Sequence, residues 1–167
     1  SGYFQNFKHR LNNISKSTAT HSTLILDSTS ITKFKKELNG YSTIEKNFKI
    51  LNKKIISEKN IMGVTAAHNA YQKKYGIIHE RKLKFYSENN KLIGEDKLIK
   101  KKNFRSTNFE IRFHLLPKAK VTKTQDGNII LIELENSGWK FTANNHLIDV
   151  ENGLYFGKKK FFCRKSK

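Results

Sequence analysis

The residues of this 167-residue chain best suited to proton transfer or metal binding are its six histidines, His9, His21, His68, His79, His114 and His146. Three of them, His21, His68 and His79, stand in contexts that suggest more than surface. His21 lies between Ala19-Thr20 and the apolar run Ser22 to Asp27, a polar imidazole at the entrance of a buried strand. Either a hydrogen-bond partner or a metal could satisfy it there. In Ala67-His-Asn-Ala-Tyr71 and Ile78-His-Glu-Arg81, two short segments carry His68, Tyr71, His79 and Arg81 on either side of an expected loop, Gln72 to Gly76. If the segments pair as a hairpin, the four side chains converge. Such a set suits binding of an acidic sugar, with Arg81 clamping a carboxylate or sulfate and the others hydrogen-bonding hydroxyls. The structural alternative stands beside it: buried polar groups that satisfy one another.

Other catalytic signatures are missing. There is no glycine-rich phosphate loop, no nucleophile elbow and no Cys/His cluster at zinc-finger spacing. The lone Cys163 cannot form an internal disulfide. No residue is singled out as catalytic, and the chain is expected to lack a complete active site.

The elements that must position these residues are mostly strands. Apolar residues Tyr3, Phe4, Phe7 and Leu11 recur at helical spacing and predict a short helical or irregular N-terminal segment. Ser22 to Asp27 reads as a buried strand closed by a turn at Asp27 to Ser30, while Phe34 to Lys54 is basic and ambiguous. Beyond it come Ile61 to His68, Gly76 to Tyr86, Lys91 to Ile99, Phe109 to Leu115 and Lys118 to Thr124, strand after strand between polar or glycine-bearing breaks. Two hairpins are readable, one turning at Ser87-Glu-Asn-Asn90 and one at Gln125-Asp-Gly-Asn128. Alternation in Phe109 to Leu115 assigns Phe109, Ile111, Phe113 and Leu115 to a core face, and Glu110, Arg112 and His114 to an outer one. Trp139, Phe141 and Ala143 alternate next, and Leu147 to Val150 and Leu154 to Phe156 supply further short strands. The expected fold is all-β, two stacked antiparallel sheets in a β-sandwich, as a single domain over 1–167.

The chain opens at Ser1, its one methionine is the internal Met62, and it shows no basic-then-apolar leader. It therefore reads as cut from a larger protein. No apolar run approaches the roughly 20 residues that span a bilayer, so no transmembrane segment is expected. The formal charge of +19 invites a nucleic-acid or polyanion reading. Against it, the arginines are only Arg10, Arg81, Arg105, Arg112 and Arg164, so lysine carries most of the charge in a chain also rich in Asn and Ile. Those residue types share A/T-rich codons, and lysine is a solvated point charge, whereas planar phosphate recognition recruits arginine. No specific nucleic-acid partner is expected.

Five segments in order, Thr20-His-Ser-Thr-Leu24, Ala67-His-Asn-Ala-Tyr71, Gly76-Ile-Ile-His79 with Arg81, Gly94-Glu-Asp96-Lys-Leu98 and Ile111-Arg-Phe-His114, resemble the C-terminal β-sheet domain of heparinase II/III-like polysaccharide lyases. Trp139-Lys-Phe141 and Leu154-Tyr-Phe-Gly157 extend the resemblance along nearly the whole chain. The pattern departs from the family at Asn69-Ala70, where Asp-Gly is commoner, and at Glu80, where a second basic residue is expected. The resemblance implies an upstream α/α toroid domain that carries much of the site, an acidic polysaccharide substrate, and β-elimination at a uronic acid. It also implies a periplasmic or cell-envelope location. His21 corresponds by resemblance to a histidine that looks like the last ligand of a structural zinc, its partners lying upstream of residue 1. Two other readings stay open: a binding module for acidic glycan or nucleic acid acting through lysine-rich faces, and a purely structural domain of a lyase-like protein.

Overall fold

The computed structural model describes residues 11–38, 42–45, 47–144, 146–156 and 161–163. The helix expected over Tyr3 to Leu11 lies outside the described residues except at Leu11, which opens a short helix α1 (Leu11–Ser15). The chain divides into two compact units, Ser17–Arg112 and Ser1–Lys16 with Phe113–Lys167.

In the unit Ser17–Arg112, β1 (Leu24–Leu26) is buried along its whole length. It ends in the expected turn, where Asp27 and Ser28 take positive φ of 43° and 55°. The carboxylate of Asp27 accepts the Asn108 N–H at 2.9 Å and the Thr107 hydroxyl at 2.6 Å, which supports that uncommon backbone. The basic segment without a clear period resolves into a hairpin of β2 (Lys33–Lys36) and β3 (Ser42–Glu45), followed by β4 (Ile50–Glu58). These strands are largely exposed, so burial imposes no alternation on their sequence.

Next comes a meander. β5 (Ile61–His68) pairs with β4 and with β6 (Ile77–Tyr86), and β6 pairs with β7 (Lys91–Lys100), giving a four-stranded antiparallel sheet. Between β5 and β6 the expected loop is a one-turn helix, α2 (Gln72–Tyr75). It ends at Gly76, whose φ is +66° and where an added Cβ would lie 2.5 Å from the Asn103 carbonyl carbon. Both the left-handed conformation and the crowding require glycine. The turn between β6 and β7 falls where Ser87 to Asn90 places it, with Asn90 left-handed at φ 50°.

Among the described residues, β8 (Phe109–Ile111) pairs with β1 alone. Leu24, Leu26, Tyr71, Tyr75 and Ile77 form the core, with Ile31, Leu98 and Ile111 packed against it. Side chains of the β1–β8 pair and of the large sheet therefore meet across one core, as stacked sheets do, each buried large side chain contributing about 1.5–3 kcal/mol.

The Phe109 to Leu115 expectation is corrected here. The β1–β8 ladder covers only Phe109 to Ile111, followed by one further backbone bond, from the Arg112 N–H to the Thr23 carbonyl at 3.1 Å. Of the four residues assigned to a core face, Phe109, Phe113 and Leu115 are 46%, 52% and 42% exposed.

The second unit holds its own meander, β9 (Lys120–Lys123), β10 (Ile129–Leu134) and β11 (Ser137–Thr142), in the order β11-β10-β9. Its β9–β10 turn is the expected one: Gly127 has φ 72°, its N–H bonds the Thr124 carbonyl at 2.9 Å, and Asp126 accepts the Asn128 N–H at 3.2 Å. The rings of Phe113 and Phe141 are 5.1 Å apart. Leu147 to Val150 forms no strand; Leu147 is fully exposed and the segment has no ladder partner among the described residues. β12 (Leu154–Phe156) does form and pairs with β13 (Phe161–Cys163). The fold is all-β: among the described residues, two short α-helices and two 3-10 turns stand beside the antiparallel sheets. Among the described residues, no helix is long and apolar enough to cross a membrane.

Candidate functional site

The β5–β6 register sets His68 directly opposite His79, and the β6–β7 register sets Arg81 opposite Asp96. Residues 79, 81 and 96, together with 68, therefore share one face of the sheet, because side chains alternate faces and directly paired residues share one. Three of the four sequence-predicted substrate contacts, His68, His79 and Arg81, do come together.

Their hydrogen bonds run in one direction. The backbone N–H of Ala70 donates to Nδ1 of His68 at 3.3 Å, so the neutral imidazole carries its proton on Nε2. That N–H donates to Nδ1 of His79 at 3.1 Å. His79 in turn donates from Nε2 to Oδ1 of Asp96 at 2.6 Å. Arg81 closes the chain with a fork, Nε to Oδ1 at 2.7 Å and Nη2 to Oδ2 at 2.8 Å, and its Nη1 donates to the Ser22 carbonyl at 2.6 Å. The guanidinium and the two imidazoles thus converge, directly or through one another, on the single carboxylate of Asp96.

Burial, hydrogen bonds and neighbouring charge shift His68 and Asp96. His68 is pushed down to about 4, first by burial and second by the neighbouring His79, so it is neutral at physiological pH. For Asp96 burial is the largest single influence and acts upward. The hydrogen bonds from His79 and Arg81 and the charge of Arg81 together outweigh it and hold the carboxyl below its ordinary value.

Tyr71, the fourth predicted contact, takes a different place. Its ring is 5.8 Å from that of His68, but the side chain is 1% exposed and its hydroxyl donates to the Leu24 carbonyl at 3.0 Å. Burial raises its pKa to about 12. It is a core residue whose polar end is tied to β1.

The arrangement limits the chemistry. Both nitrogens of each imidazole are engaged within the protein, so neither ring has a lone pair free for a substrate proton or a metal. Arg81, with a side chain 19% exposed, has each of its three guanidinium nitrogens engaged in one of these bonds. Sequence reasoning missed Asp96 as a site residue, although counting outward from the Ser87–Asn90 turn sets it opposite Arg81.

His21 sits apart from this network. It is exposed, following a single 3-10 turn (Thr18–Thr20), and its N–H bonds the Thr18 carbonyl at 3.1 Å. Among the described residues no three His, Cys, Asp or Glu side chains come together as a metal site. A structural zinc takes about four ligands, so the described residues do not fit a complete site, and His21 offers one ligand at most.

Beside the turn that follows β5 lies an open groove of about 950 Å3, lined in part by Asn69, Ala70, Tyr71 and Gln72. No curated protein and no solved structure matches the chain. The family model described as Heparinase II/III-like, C-terminal, matches residues 1–165, nearly the whole length. The chain belongs to the heparinase II/III-like C-terminal family.

Proposed function

We propose that this chain is the C-terminal β-sheet part of a polysaccharide lyase whose full-length form cleaves a uronic-acid-containing polysaccharide by β-elimination. Residues 1–167 by themselves lack the catalytic set. In the reaction a base takes the proton from the carbon beside the carboxylate, the carbon–oxygen bond to the leaving sugar breaks with its electron pair going to oxygen, and a carbon–carbon double bond forms. Family membership supports the substrate class and the reaction. The observation that carries the incompleteness is the closed histidine network, in which no imidazole nitrogen is left to act as the base.

The remaining groups come from an upstream α/α toroid of the same protein, working in the periplasm or cell envelope. His21 supplies one ligand of a structural zinc completed by residues outside this chain.

The test compares full-length protein with residues 1–167 on heparin, heparan sulfate and alginate, following the ultraviolet absorbance of unsaturated uronate. Product is expected from the full-length protein only. Turnover by residues 1–167 alone, or none by the full-length protein on any acidic polysaccharide, overturns the reading.

A further inference from the structure

We propose that the groove beside the histidine network is a binding subsite for an acidic, hydroxyl-rich oligosaccharide segment. The inference rests on the lyase reading for the source of that ligand, but the site is argued from its own chemistry. Its volume of about 950 Å3 lies within the range of about 300–1,000 Å3 that holds a small organic ligand. Among the described residues its lining carries three lysines, Lys33, Lys73 and Lys74, and one carboxylate, Glu45, the direct cross-strand partner of Lys33, so the described lining is net cationic. The remaining polar lining is amide and hydroxyl, groups that donate to and accept from sugar hydroxyls without a charge requirement.

The walls are held before any ligand arrives. The Lys49 N–H donates to Oδ1 of Asn69 at 2.7 Å, tying the segment before β4 to the turn after β5. Nδ2 of Asn103 donates to the Gln72 carbonyl at 3.4 Å. Lys74 donates to the Thr29 hydroxyl at 2.9 Å, and that hydroxyl bonds the Tyr75 hydroxyl at 2.6 Å. A pre-formed site loses less freedom on binding.

The candidate residues read from the sequence then acquire a role as positioning residues. His68 holds the Ala70 N–H and Tyr71 holds the Leu24 carbonyl, so the network anchors the turn that forms one wall. A single-stranded nucleic acid is the less suitable polyanion, because among the described residues the aromatic lining, Tyr71 and Tyr75, is only 1% and 5% exposed and offers no stacking platform.

The experiment is isothermal titration of the full-length protein with a heparin-derived hexasaccharide, alongside neutral cellohexaose and an oligonucleotide of matched charge. Two double variants are compared, K33A/K73A in the groove and K54A/K91A outside it; all four lysines are exposed, so both variants should keep the wild-type melting temperature. Wild type is expected to bind the acidic hexasaccharide and not cellohexaose. K33A/K73A should bind about five- to tenfold more weakly, the effect of two solvent-facing charge contacts, and K54A/K91A should stay within about twofold. Absence of wild-type binding, equal losses in the two variants, or tighter binding of the oligonucleotide each overturns the site. Failure of the lyase reading looks different: no polysaccharide is cleaved while the hexasaccharide still binds through Lys33 and Lys73.

Discussion

His68 and His79 face each other as direct cross-strand partners and share a single hydrogen bond, Nε2 to Nδ1 at 3.1 Å, whose direction is set by the backbone N–H of Ala70 at the far side of the His68 ring. A doubly protonated His68 would place a proton on Nδ1 against that N–H. The network therefore holds only while His68 is neutral.

Stability should fall in mild acid for this reason. His68 has a folded pKa of about 4 against 6.5 in the unfolded chain, so the unfolded state binds more protons between those values. Its contribution is fully present above pH 6.5 and is lost as pH falls toward 4. Allowing for its partial exposure, the loss is about 1–2 kcal/mol. Melting temperatures of wild type and His68→Gln across about pH 4 to 7.5 check this; parallel curves would falsify the assignment.

Asp96 is the acceptor on which three donors converge, so its removal should cost more than that of a surface acid. Asp96→Asn keeps the shape but leaves Arg81 without its counter-charge, and a loss of about 2–3 kcal/mol is expected in denaturant unfolding. Glu88→Gln, on the exposed β6–β7 turn, should change stability by less than about 0.5 kcal/mol. Equal effects of the two changes would remove Asp96 from the network.

Tyr71→Phe deletes one hydroxyl and leaves the Leu24 carbonyl without that donor, at a cost of about 1–2 kcal/mol. The same environment should keep the Tyr71 phenol from ionising in the folded protein until pH nears 12. Spectrophotometric titration of wild type against Tyr71→Phe shows the missing tyrosine. If the difference appears near the ordinary phenol value of about 10, the hydroxyl is not buried as described.

If His21 is one ligand of a zinc completed outside this chain, His21→Ala in the full-length protein should lower zinc content by elemental analysis and lower the melting temperature with it. Unchanged zinc in the variant leaves His21 as an exposed turn residue and nothing more.

The local pairings are legible in the amino-acid sequence alone. β5 occupies the Ile61 to His68 run that its residue types mark out, and the Ser87–Asn90 and Gln125–Asn128 turns fall between the strands they are expected to join. Hairpin register follows by counting away from a turn, so the meeting of His68 with His79 is within reach of the sequence, and so is the pairing of Arg81 with Asp96. Acidic-sugar chemistry is one reading of these residue types, and the same types also make a self-satisfied network.

Only the tertiary structure decided between donors facing outward and donors used up inside. Arg81 reaches the Ser22 carbonyl and Tyr71 reaches the Leu24 carbonyl across separations of 59 and 47 residues. No spacing rule spans such distances, because they are set by how the β1–β8 pair packs on the large sheet. The same packing ends the β1–β8 ladder at Ile111, with one further bond from the Arg112 N–H to the Thr23 carbonyl, where alternation alone runs on to Leu115: how far a strand runs depends on where a partner backbone lies, and that is decided by packing between segments far apart in the sequence.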